Sequence, residues 1–139
     1  QEAIDRVRRV LADHDALRWA RVFGSVARGE DFGDVDVSYV WKPGKGTSWR
    51  DLARLQGDLD DALGDLVERA DLVDETRAPP PLMGALLREG VIVLDRDPDA
   101  RAFFDAEKNL IWLDFKPFWE RQRELRREER QRRREVKDP

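Results

Sequence analysis

Asp34 and Asp36 stand two residues apart in a stretch that alternates apolar and polar positions, Asp-Val-Asp-Val-Ser-Tyr. Side chains on a strand point to alternate faces, so both carboxylates project from one face while Val35 and Val37 anchor the other. Two carboxylates this close repel, and one is driven to protonate unless a cation joins them. Hard divalent ions take oxygen ligands of this kind, and magnesium borrows the rest of its shell from water and substrate phosphates. The pair therefore reads as an incomplete metal site that takes a phosphate ligand. Gly24-Ser25 lies upstream, with eight residues between Ser25 and Asp34. Glycine lets backbone approach an anion, and a short helix expected over residues 25–28, closed by Gly29, directs unpaired N–H groups and the Ser25 hydroxyl toward it. Arg28, one turn on, either reaches the same phosphates or is solvated. Asp71, flanked by Ala70, Leu72 and Val73, is a charge in an apolar strand, costly unless paired or metal-bound. It is the candidate third ligand and general base, taking the proton from an attacking hydroxyl. Asp74, at the strand end, is its rival.

These residues need a scaffold, and the pattern supplies one. Ile4, Val7 and Leu11 recur at helical spacing and predict an amphipathic helix over the first dozen residues. Residues 19–23 read as a strand running into Gly24, residues 30–33 as a loop, and residues 34–41 as a second strand ended by Pro43 and Gly44. Ser48 with Asp51 resembles a capping box ahead of Leu52, Leu55, Leu59, Leu63 and Leu66. A third strand follows over 67–73, a helix begins in the proline run 79–81 and stops at Gly90, and residues 91–94 form a fourth strand. Phe103, Phe104, Leu110, Ile111, Phe115, Phe118 and Trp119 give the apolar positions of the remaining helices, which Pro117 is expected to break or kink. The aromatics are assigned to the core; Trp112 or Trp119, if exposed, would instead mark an interface. His14, between Asp13 and Asp15, is expected to be solvated. The fold class is α/β (α+β): a small mixed four-stranded sheet flanked by helices, with a C-terminal helical extension.

At 139 residues the chain is one domain. The expected division is a core over 1–96, C-terminal helices packed on it over 97–125, and a charged exposed tail over 126–139. The formal net charge of −4 hides an asymmetry: residues 120–139 hold nine basic and six acidic side chains and carry +3, leaving −7 on the rest. An acidic body argues against direct nucleic-acid binding, which needs a basic footprint. With no cysteine, disulfides and thiolate metal sites are excluded. No apolar run approaches membrane-spanning length, so a cytoplasmic location is the default expectation.

The run Gly-Ser-Val-Ala-Arg-Gly-Glu at 24–30, followed by Asp-Val-Asp-Val at 34–37, resembles the active-site motif of the DNA polymerase beta-like nucleotidyltransferases. Among these it is most similar to the minimal nucleotidyltransferases (MNT). Residues 70–74, 79–80, 87–94 and 113–117 match the same group, and the likeness extends to about Leu125. Members of this type often act as antitoxins to HEPN ribonuclease toxins. The resemblance implies transfer of AMP from ATP to a tyrosine hydroxyl of such a toxin, within a hetero-oligomer. By the same carry-over, Gly24 and Ser25 grip the triphosphate, Asp34 and Asp36 bind two magnesium ions, and Asp71 shares the catalytic one. The sequence departs from the family in a shorter loop before Asp34, with Gly33 where a serine is common. Two other functions remain open: an antitoxin that neutralises by binding alone, and a small-molecule nucleotidyltransferase of the antibiotic-modifying type.

Overall fold

The computed structural model describes residues 1–30, 33–46 and 48–137. Of the loop expected at 30–33, Asp31 and Phe32 lie outside the described residues, as do the last two residues of the tail.

Helix α1 (Glu2–Ala12) buries Ile4, Val7 and Leu11, the positions that its periodicity placed on one face, and Ala3 beside them. Helix α2 (Trp49–Leu63) buries Leu55, Leu59 and Leu63. Fully burying each leucine contributes about 1.5–3 kcal/mol. Ser48 does cap α2, but its hydroxyl accepts from the backbone N–H of Arg50, with no reciprocal bond from Asp51 among the described residues. Leu52 is exposed and Leu66 lies beyond the helix end.

Four strands, β1 (Leu17–Phe23), β2 (Asp34–Trp41), β3 (Arg69–Asp74) and β4 (Val91–Asp95), form one sheet in the order β3-β2-β1-β4. β1 runs antiparallel to both β2 and β4, whereas β2 and β3 are parallel. The parallel pairing is possible because α2 makes the crossover between them. On one face Ala20, Val22, Val35, Val37, Tyr39 and Ala70 pack against the apolar stripes of α1 and α2. The other face divides in two. Helix α3 (Pro80–Glu89) and the first turns of α4 (Pro98–Lys137) cover the β1–β4 side, where Met83, Leu86 and Trp112 are buried. Trp19 meets Phe104 there edge-to-face at 5.2 Å. A side chain at Gly84 would collide with the Trp112 indole, so this glycine permits the close approach of the two helices. The β2–β3 side carries the acids.

The structure departs from expectation at three points. Pro117 does not divide the C-terminal helix: α4 is continuous over 40 residues. A proline in mid-helix frees the carbonyl four residues back, here that of the exposed Leu113, which water can satisfy. The aromatics of α4 are not all core either. Trp112 is buried, but Phe103 and Phe118 are 72% and 56% exposed. His14 errs the other way, being buried with its Nε2 2.8 Å from the Asp58 carboxylate, because α1 packs against α2.

Candidate active site

The site begins where β1 ends. Gly24 has φ 76°, which turns the chain off the sheet, and a side chain there would collide with the Asp36 carboxylate. Phe23 pairs with Asp36 across β1 and β2, so the register brings turn and acid together. The expected helix at 25–28 is a single hydrogen-bonded turn: Arg28 N–H donates to Gly24 O at 3.2 Å and Glu30 N–H to Ser25 O at 3.0 Å. Gly29, with φ 72°, closes it before a second turn can form. The anion argument therefore rests on the open backbone at Gly24 and on the Ser25 hydroxyl, which has no hydrogen-bond partner among the described residues.

The parallel register aligns Asp36 with Asp71 and Asp34 with Arg69 on neighbouring strands, whose axes lie about 4.8 Å apart. By strand alternation Asp34, Asp36, Arg69 and Asp71 share the open face. Asp36 is half-buried and accepts no hydrogen bond among the described residues. Burial first, then the Asp71 and Asp34 carboxylates, push its pKa up, against the pull of Arg28 and Arg69. Asp71 is occupied: the Arg69 guanidinium holds its Oδ1 at 2.6 Å. Asp74 faces the other way, paired with Tyr39, and its carboxylate caps the short 3-10 turn Glu75–Arg77 by accepting from Thr76 N–H at 3.0 Å. Strand alternation and this cap remove it from the acid face.

Three carboxylates on one face, of which only Asp71 is ion-paired among the described residues, are a hard-oxygen donor set that suits a divalent cation. As they stand, no three His, Cys, Asp or Glu residues among those described close into a metal-ligand set. Arg28 is also engaged, with Glu30 at 2.7 Å and Glu89 at 3.0 Å.

The sequence reading missed a second polar cluster on the same face. Glu75 is fully buried and accepts from Ser38 Oγ at 2.7 Å, Trp19 Nε1 at 3.1 Å and Arg21 Nε at 3.1 Å. Arg21 reaches on to Asp105 of α4, which Arg101 also holds at 3.1 Å. The available signal was Arg21, a lone charge in the apolar run 19–23.

Comparison with known proteins adds the context. The sequence family described as "Polymerase beta, Nucleotidyltransferase" matches residues 5–99. A Methanocaldococcus jannaschii protein provisionally named a protein adenylyltransferase is 34% identical over 85 residues, spanning 61% of this chain and 87% of its own. A chain of a toxin–antitoxin crystal structure with AMP-PNP superposes with a TM-score of 0.65 at 20% identity, over 88% of this chain and 94% of that one. A chain from the complex of the tri-AMPylated Shewanella oneidensis HEPN toxin with its MNT antitoxin gives 0.63 at 18% identity, over 88% and 92%. At such identities these two structures speak for the fold.

Proposed function

We propose, for a chain that belongs to the polymerase beta nucleotidyltransferase family, that it transfers AMP from ATP to a tyrosine hydroxyl of a cognate HEPN-type toxin and thereby silences it. The nucleotidyltransferase chemistry follows from the family. The protein acceptor draws support from the adenylyltransferase name of the archaeal relative and from the AMPylated toxin in the complex of the structural neighbour. The observation that carries the reading is the Gly24 backbone lying against an Asp36 carboxylate that accepts no hydrogen bond among the described residues, with Asp34 and Asp71 on the same face.

In this reading the triphosphate lies over Gly24 and Ser25, whose backbone and hydroxyl take its oxygens, with Arg28 turning from Glu30 and Glu89 toward the same charge. Asp34, Asp36 and Asp71 would hold magnesium, which when bound lowers the pKa of the attacking hydroxyl and supports the pyrophosphate leaving group. Asp71 takes the hydroxyl proton as the acceptor oxygen bonds to the α-phosphorus and the bond to pyrophosphate breaks. The work is alignment and charge stabilisation. We further take residues 1–96 as the catalytic core.

The exposed face of α4 supports the partner assignment. Ile111, Phe118 and Leu125 recur seven residues apart, and Phe103 and Leu110 do the same beside them. That spacing fits packing against another helix. Farther along, Arg123, Arg127, Arg130 and Arg134 follow at helical spacing without an ion pair among the described residues. They suit an acidic stretch of the same partner. No described helix is long and apolar enough to cross a membrane.

The test is incubation with labelled ATP, magnesium and the product of the adjacent gene. Label should move to that protein and remain absent with Asp36→Ala. Tight complex formation without transfer would instead make the chain a neutralising binder. Transfer to an aminoglycoside in place of the protein would favour small-molecule modification.

A further inference from the structure

The three acids share a face, yet among the described residues they do not close into a metal-ligand set, and one of them is engaged by an arginine. Arg69 opens β3 opposite Asp34, two residues before Asp71 and on the same side of the sheet. Its Nε and one terminal nitrogen both lie 2.6 Å from Asp71 Oδ1, so the third carboxylate is turned onto a guanidinium. The charge of Arg69 is held first by Asp71 and then by Asp34 and Asp36. A single side chain thus partly neutralises the whole acid face.

We propose that Arg69 is a resident counter-ion of this face, which a divalent cation displaces as Asp71 turns to join Asp34 and Asp36. The inference rests on the reading of those acids as the metal site. Arg69 is suited to leaving. Its side chain is 70% exposed, and an exposed ion pair is weak. The buried Arg21, by contrast, is only 4% exposed and is fixed by Glu75 and Asp105. A guanidinium brings one delocalised charge and donors only; it cannot collect oxygens around a centre as a divalent ion does. It therefore supports the acids in the metal-free protein and competes with the ion that replaces it.

Manganese titration of the full chain without nucleotide, read by calorimetry or by the spin resonance of free Mn2+, tests this directly. Arg69→Gln should bind Mn2+ about three- to tenfold tighter than wild type at low salt, because one repelling charge has gone, whereas Arg69→Lys, which keeps that charge, should stay close to wild type. The difference should shrink in 0.5 M salt, as screening requires (a Debye length of about 4 Å). Without metal, Arg69→Gln should melt below wild type, and saturating Mn2+ should close the gap. Unchanged or weaker Mn2+ binding in Arg69→Gln, with binding lost in Asp36→Ala, overturns the role of Arg69 alone. If wild type takes no Mn2+, or Asp36→Ala binds it equally well, the acid face is not a metal site and both readings fall.

Discussion

Two groups of carboxylates occupy one face of the sheet, and the fold treats them in opposite ways. Glu75 is fully buried, yet three donors meet it and Arg21 offsets its charge. Asp36, a few ångströms along the same strands, is half-buried, accepts no hydrogen bond among the described residues, and has two like charges for neighbours. A buried charge fully satisfied by its own chain is structural material. A half-exposed acid short of protein partners, beside like charges and a glycine turn, leaves room for a ligand to complete the arrangement. Both clusters descend from the same alternation on β2, where Asp34, Asp36 and Ser38 follow one another on one face. They differ because α3 and α4 close over the Ser38 end only.

The contrast can be broken most forcefully at Asp36. Asp36→Ala should lower transfer by at least about 10³-fold while the protein stays folded by circular dichroism. Retained label incorporation would remove the acid from the site. Asp71→Asn should keep nucleotide binding and lose about 10²–10³-fold in turnover, as expected for a missing proton acceptor. Full turnover would take that role from Asp71. At the satisfied cluster the outcome should reverse. Glu75→Gln should cost about 3 kcal/mol of stability in urea denaturation, because Arg21 keeps only part of its counter-charge. A loss below about 1 kcal/mol would mean that the cluster is not the strut described here.

The smallest effect sharpens the comparison through pH. The folded protein holds the Asp36 proton to higher pH than the unfolded chain does. The associated stability is therefore present at acid pH and falls away as pH rises through the folded value. Asp36→Asn removes that loss, so it should melt above wild type at pH 7 and show a flatter pH dependence, while remaining inactive. A lower melting temperature at neutral pH would show that the carboxylate has a partner after all.

Much of this arrangement was legible from residue order. Period-two alternation put Asp34 and Asp36 together because a strand has no other way to place them. The same rule put Asp71 with Val73 and against Asp74. The helix stripes of α1 and α2 were readable because leucine and valine at helical spacing have few other uses. The turn after Gly24 was legible too: Gly29, with φ 72°, closes it after a single turn, as its place after residues 25–28 implied. At Pro117, where a break or a kink was expected, the helix runs on unbroken, since propensity says nothing about whether the freed carbonyl meets water.

What the sequence alone determined, then, was chemistry with a period: which carboxylates share a face, which apolar stripes bury, where glycine lets backbone approach charge. What the tertiary structure decided was pairing at a distance. Register placed Asp71 beside Asp36 and Arg69 beside Asp34, and the packing of α4 gave Arg21 and Glu75 their partners. Burial and electrostatics depend on which elements meet in space. A residue's own neighbours in the chain therefore fix its direction but not what it meets there.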